Sequence, residues 1–68
     1  MNITMRFGRK IHYMRKKRHL SQEKLAELAK LDRTYISGIE RGVRNPTLQS
    51  IEKIAKALKV KVGDIFNE

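Results

Sequence analysis

SQEKLAELAKLDRTYISGIERG, residues 21–42, decides the reading of this chain. Ser21 is a good helix cap, because its hydroxyl can accept from a backbone N–H that the first turn leaves unpaired. Gln22 and Glu23 follow, and Leu25, Ala26, Leu28 and Ala29, at helical spacing, supply the buried face of a helix expected to end near Ala29. Lys30 and Leu31 make a short turn, and Asp32 is a second cap. The helix it opens is expected to run to about Arg41, with Ile36 and Ile39 facing inward. Gly42 is the stop, since a left-handed residue there costs glycine little. Two short helices joined by a three- or four-residue turn form a helix-turn-helix unit. Ala26 provides the small side chain where the two cross. Arg33, Thr34, Ser37 and Gly38 are left on the outward face of the second helix, whose N-terminal residues are the ones that reach base edges when such a unit docks in a major groove.

Apolar residues recur at three- and four-residue spacing on both sides of this unit. Upstream, a helix is expected over about residues 6–18, with Phe7, Ile11 and Met14 as its stripe and Leu20 as a core residue after the turn. Downstream, the loop of Val43, Arg44, Asn45 and Pro46 leads to Thr47, a third cap. A helix over 48–58 then turns Leu48, Ile51, Ile54, Ala55 and Leu58 inward. The tail, residues 60–66, fits a last short helix with Val62, Ile65 and Phe66 apolar, which Gly63 weakens. The alternation of Val60, Lys61 and Val62 is too short for a strand. The fold class is therefore all-α, a compact bundle of about five short helices within one domain spanning 1–68.

So short a chain buries a modest core and needs reinforcement. It contains no cysteine, which excludes disulfides and thiolate metal sites. Its two histidines, His12 and His19, lack acidic neighbours that would complete a zinc site. Helix packing and self-association remain, so a homodimer is expected, and no metal or cofactor. The chain carries 16 Lys and Arg against 7 Asp and Glu, a formal charge of +9. Such an excess attracts a polyanion by steering and counterion release. No apolar run approaches the ~20 residues of a membrane span, and residues 1–20 lack the apolar centre of a secretion signal, so a cytoplasmic location is expected. An enzyme is not indicated. There is no Ser/His/Asp or Cys/His set, no phosphate-binding glycine loop and no paired carboxylates.

The motifs LSQEKLA at 20–26, YISGIERG at 35–42, NPTL at 45–48 and IAKAL at 54–58 resemble, in this order and spacing, the phage repressor/Cro (XRE-type) family. The likeness runs from about residue 7 to residue 66 and implies a lambda repressor-like DNA-binding domain. The stretch LDRTYISGIER at 31–41, with Arg44 and Asn45 after it, looks most like controller proteins of type II restriction–modification systems. The resemblance implies a regulator that binds a palindromic operator in double-stranded DNA as a homodimer. It also implies that Gln22 binds a phosphate or supports a base contact, and that Arg15 pairs with Glu40, partly buried, to lock the recognition helix against the first helix.

Chemistry assigns the remaining roles. Arg33 is the first choice for base reading, because a guanidinium meets guanine O6 and N7 with two parallel bonds. Thr34 and Ser37 can bond a base edge or phosphate, and Ser21 can add a phosphate contact to its capping role. Tyr35 either closes over the core or lays its hydroxyl on a phosphate. Gly38 permits a close approach, to DNA or to a neighbouring helix. Arg41, Arg44 and Asn45 are placed to grip the sugar-phosphate backbone, and Thr47 presents a helix N-terminus suited to an anion. Val60, Val62 and Phe66 are the expected contacts between subunits, within a dimerisation segment at 58–66, while Leu58 and Ile65 serve the monomer core. Lys30 and Lys59 stand where relatives often carry glycine. A left-handed lysine is strained by ~1 kcal/mol or more, so these two turns are expected to depart from the family form. Nothing points to a small-molecule ligand or a membrane partner. The competing readings are a phage or plasmid repressor, an antitoxin, a protein-interaction module, and a binder that uses charge alone. The last predicts no preference for a palindrome over random DNA.

Overall fold

The computed structural model describes residues 2–67. Five helices follow in order: α1 (Ile3–Lys17), α2 (Gln22–Ala29), α3 (Arg33–Glu40), α4 (Leu48–Leu58) and α5 (Val62–Phe66). There is no strand among the described residues. The expected caps of α2, α3 and α4 are made. Ser21 Oγ accepts from the Lys24 N–H at 2.9 Å, Asp32 Oδ1 from the Thr34 N–H at 2.9 Å, and Thr47 Oγ1 from the Ser50 N–H at 3.0 Å. Each such bond contributes about 1 kcal/mol. α1 starts three residues earlier than the apolar stripe indicates, because Asn2 Oδ1 caps it by accepting from the Met5 N–H at 2.9 Å.

The turns at Lys30 and Lys59 correct the expectation that lysine would change them. Both residues are left-handed, at φ 59° and 58°, as is His19 at φ 58°. Each of these three turns closes in the same way. The N–H of the following residue reaches back to the last turn of its helix: Leu20 to the Arg15 carbonyl at 3.1 Å, Leu31 to Ala26 at 2.9 Å, and Val60 to Ala55 at 3.0 Å. The same three residues are the apolar ones that pack onto the core next to each stop. Two satisfied carbonyls and a half-buried apolar side chain offset the ~1 kcal/mol of strain. Gly42 is different. It is left-handed at φ 77°, and a Cβ there would also lie 2.8 Å from Met5 Cγ, so two reasons require glycine.

The core joins all five helices. Ile11, Leu25, Ile36, Ile39, Ile54 and Leu58 are fully buried, with Phe7, Ala26, Ala29, Ala55 and Ile65 around them. α3 packs between α1 and α2, α4 packs on α2, and α5 on α1 and α4. Ala26 is buried in this packing, as its small size suggests. Gly8 makes a second close crossing: a Cβ there would collide with the Ile39 carbonyl oxygen and lie 3.0 Å from that of Glu40, so α1 meets the end of α3 backbone to backbone. Two leucines face outward against expectation. Leu28 is 48% exposed, because the buried stripe of α2 runs through Leu25, Ala26 and Ala29 and leaves position 28 about a quarter-turn away. Leu48 is 85% exposed on the opening turn of α4, ahead of the buried stripe that begins at Ser50 and Ile51.

Candidate nucleic-acid interface

The outward side of α3 begins at its cap. Asp32 accepts from both the backbone N–H and the hydroxyl of Thr34, at 2.9 and 2.8 Å. These bonds, and then the charges of Arg33 and Arg44, hold its carboxyl below the ordinary range against a small effect of burial. Thr34 is thus an exposed residue whose hydroxyl proton is committed to its own cap. Arg33 is exposed one residue earlier, and Ser37 is half-buried one turn on.

Gly38 does not lie open on this face, as the sequence pattern suggests. It is buried, and the cover is the stem of Arg44. The Arg44 guanidinium stands 5.8 Å from the Tyr35 ring centroid, a cation–π arrangement. Tyr35 itself packs its ring against the core, and its hydroxyl accepts from the Thr47 N–H at 3.3 Å. Of the two alternatives for Tyr35, the core packing is present here, together with a bond that holds the loop ahead of α4. Asn45 faces α1 and accepts from the Thr4 hydroxyl at 2.8 Å. Thr47 is occupied at three points, since its hydroxyl donates to Ser50 Oγ at 3.0 Å beside the two bonds above. Arg41 is exposed at the C-terminal end of α3. The 43–47 loop is fixed to α3 and α1 by side chains and is not a free arm.

Behind α3 lies a polar cluster. The Arg15 Nε donates to Glu40 Oε2 at 2.7 Å, and a second guanidinium nitrogen donates to Glu40 Oε1 at 3.0 Å. The third nitrogen donates to the Leu20 carbonyl at 2.7 Å. Gln22 Nε2 donates to Glu40 Oε1 at 3.2 Å, and His12 Nδ1 stands 2.9 Å from the same oxygen. The side chains of Arg15 and Glu40 are 8% and 3% exposed. Burial pushes the Glu40 carboxyl up, but the bonds from Arg15, His12 and Gln22 and the charge of Arg15 outweigh it and hold the group below its ordinary value. Gln22 is thus tied to the end of α3, which the sequence reading did not assign to it. His12 belongs to the same cluster and was missed, for its spacing from Arg15 marks no motif.

Lys16, His19, Ser21, Gln22 and Arg33 border one open, basic concavity where the start of α2 meets the start of α3. Lys16 and His19 were not singled out from the other basic residues of the N-terminal third, because only the fold brings these two beside Arg33. At the other end of the molecule, Phe66 is 41% exposed with its ring 5.3 Å from that of Phe7. Val62 is exposed beside it, while Val60 is half-buried against the core. Ile3 and Leu48 extend this apolar surface. Grooves lined by Ile3, Phe7, Ile51 and Phe66 and by Leu48, Ile51, Val62 and Phe66 share Ile51 and Phe66. The apolar pattern points Leu48 to the core and starts the first helix at about residue 6, so neither Leu48 nor Ile3 is legible in it as part of this surface. No helix among the described residues is long and apolar enough to cross a membrane.

Residues 11–65 match the helix-turn-helix family. Over 67 residues the chain is 52% identical to the control protein C.BamHI of Bacillus amyloliquefaciens, covering 97% of this chain and 83% of that protein. Its fold superposes on the crystal structure of the restriction-modification controller protein C.AhdI from Aeromonas hydrophila with a TM-score of 0.91, at 43% identity, covering 93% of this chain and 96% of the other. It superposes on the controller C.Esp1396I bound to a 19 base pair DNA duplex with a TM-score of 0.89, at 41% identity, covering 97% and 88%. A second structure holds the C.Esp1396I tetramer on its natural 35 base-pair operator.

Proposed function

The chain belongs to the helix-turn-helix family of DNA-binding transcriptional regulators, and from that premise we propose that it binds a palindromic operator as a homodimer and controls a restriction–modification operon. The observation that carries the reading is the exposed first turn of α3, with Arg33 at its head and the far end of the helix held by a buried ion pair. A reading helix must enter the groove at a fixed angle, and this one is fixed at both ends.

In this reading Arg33 bonds a guanine edge, Thr34 and Ser37 contact neighbouring edges or phosphates, and Arg44 adds a second cation from the loop. Ser21, Arg41 and the concavity beside Gln22 follow the backbone, with Lys16 and His19 added to the residues expected there. Asn45, Thr47 and Tyr35 act by holding the loop rather than by free contact. Two protomers related by a two-fold axis place their α3 helices about 34 Å apart, one DNA turn. The surface of Ile3, Leu48, Val62 and Phe66 is the self-complementary face. It extends the 58–66 segment to the first turns of α1 and α4 and reduces the part of Val60. The protein acts by occupancy in the cytoplasm, without catalysis and without a small-molecule ligand.

Selection of bound duplexes from a random library, followed by titration of the winning site at several salt concentrations, tests this. A palindromic winner is expected, with Arg33→Ala losing discrimination at one base pair per half-site by roughly 1–3 kcal/mol. Binding that falls steeply with salt and selects no sequence would refute the proposal and leave the +9 charge as the whole cause of binding. A restriction endonuclease gene beside the coding sequence is the expected genomic context.

A further inference from the structure

We propose that Gly38 is a positioning residue for DNA recognition: the space left by its missing side chain seats Arg44 and thereby sets where that guanidinium meets the groove. The inference rests on the DNA-binding reading above and names a specificity determinant within it.

A glycine inside a helix costs about 1 kcal/mol relative to alanine. Among the described glycines only Gly42 has a positive φ, so no backbone requirement explains Gly38. The space does. A Cβ built at Gly38 would stand 2.5 Å from Arg44 Cγ, 3.5 Å from its Cβ and 3.6 Å from its Cδ. The arginine stem therefore lies across the bare backbone of α3. From that seat the guanidinium reaches over the Tyr35 ring and comes within the electrostatic range of Asp32. Asp32, Tyr35 and Gly38 are spaced by three and form one edge of α3. Arg33 and Ser37 form the adjacent edge. The loop thus adds a second cation to the reading surface at a position fixed by two α3 residues, Tyr35 and Gly38, and by the cap Asp32.

A methyl group at residue 38 would meet the arginine chain near its root. The atom displaced is Cγ, so the conflict cannot be relieved by bending the far end. Rotation at χ1 or a shift of the 43–47 loop is needed. The loop is held by the Thr47–Tyr35 and Thr4–Asn45 bonds, which leaves χ1, and a change of χ1 carries the guanidinium away from Tyr35.

The experiment compares wild type, Gly38→Ala, Arg44→Ala and the double variant on the duplex that the wild-type protein selects. Gly38→Ala is expected to melt at or above the wild-type temperature, because helix propensity improves. It should bind about tenfold more weakly, the loss of one directed arginine contact. In the Arg44→Ala background the same change should alter affinity by less than about twofold. Arg44 methylene protons shifted by the Tyr35 ring in the wild-type NMR spectrum should return to ordinary positions in Gly38→Ala. Wild-type affinity in Gly38→Ala would overturn the proposal. So would an equal loss in the Arg44→Ala background, which means the methyl blocks DNA directly. A fall in melting temperature parallel to the loss of binding would assign Gly38 a purely structural role. If the wild-type chain selects no duplex at all, the DNA-binding reading fails first, and the NMR comparison still decides whether Gly38 seats Arg44.

Discussion

Replacing Glu40 by alanine tests the part of the structure on which the placement of α3 depends. The Arg15 guanidinium makes four polar contacts: two end on Glu40, one on the Leu20 carbonyl, and one nitrogen also stands 3.2 Å from His12 Nδ1. Without the carboxylate, a cation whose side chain is 8% exposed keeps two neutral neighbours, the Leu20 carbonyl and His12 Nδ1, and no counter-charge. Breaking a buried ion pair in this way typically costs about 3–5 kcal/mol. Water can enter past His12, whose side chain is 54% exposed, so the lower end applies. A domain of this length holds roughly 3–10 kcal/mol in total, and each kcal/mol moves its Tm by about 4–8 °C. Glu40→Ala should therefore melt at least ~12 °C below wild type in circular dichroism at 222 nm, at matched protein concentration because a dimer melts by mass action. Glu40→Gln, which preserves the shape and one acceptor, should fall between them. A Glu40→Ala melting temperature within about 2 °C of wild type would refute the reasoning, since the pair would then be solvated or unformed.

The same group sets a pH dependence. The Glu40 carboxyl is held below its ordinary value of 4.5, so its contribution to stability is fully present above that pH and is lost as pH falls through the lower folded-state value. Melting temperature should stay level from pH 7 to about 4.5 and then decline. Asp32 and Glu27 are also held low and add to the decline, so the comparison is with Arg15→Met, whose curve should be flatter. Leu48→Glu places a charge on the most exposed apolar side chain of the expected dimer face. Sedimentation velocity should show a monomer with nearly unchanged helix content and weakened operator binding. An unchanged dimer would move the interface elsewhere.

Periodicity and capping chemistry exposed most of the architecture. Ser21, Asp32 and Thr47 mark the starts of α2, α3 and α4 because a cap is a local event, readable from a few residues. The failures are cases where a distant partner decides. Gly8 looks like an ordinary weak point in a helix until Ile39 is seen against it. Leu28 and Leu48 satisfy an apolar pattern but fall off the stripe that the neighbouring helices actually cover. Lys30 and Lys59 look wrong for a left-handed turn, yet the half-buried side chains of Leu31 and Val60, packed on the core, hold those turns in place. In the site, residue types were legible and their partners were not. Arg33 could be named from its position on α3, whereas the bond of Gln22 to Glu40, the seat of Arg44 on Gly38 and the bond of Asn45 to Thr4 join residues 18, 6 and 41 positions apart.

These partners share a pattern that bears on why a buried ion pair is present at all. A well-packed apolar pair of similar volume would be about as stable as Arg15 and Glu40, or more so, because the desolvation of both charges is avoided. What apolar contact cannot supply is direction. The Glu40 carboxylate receives bonds from α1 through Arg15 and His12 and from α2 through Gln22, and it sits on the last turn of α3. Those bonds fix the rotation of α3 about its own axis as well as its position, and rotation decides which side chains meet the bases. Arg15→Met combined with Glu40→Leu separates the two contributions. If the pair serves orientation, the double variant keeps a melting temperature near wild type and well above that of Glu40→Ala, yet discriminates less between the selected operator and a single-base variant. Full discrimination in that double variant would mean that packing by Ile36 and Ile39 alone orients the helix, and that the ion pair contributes no direction.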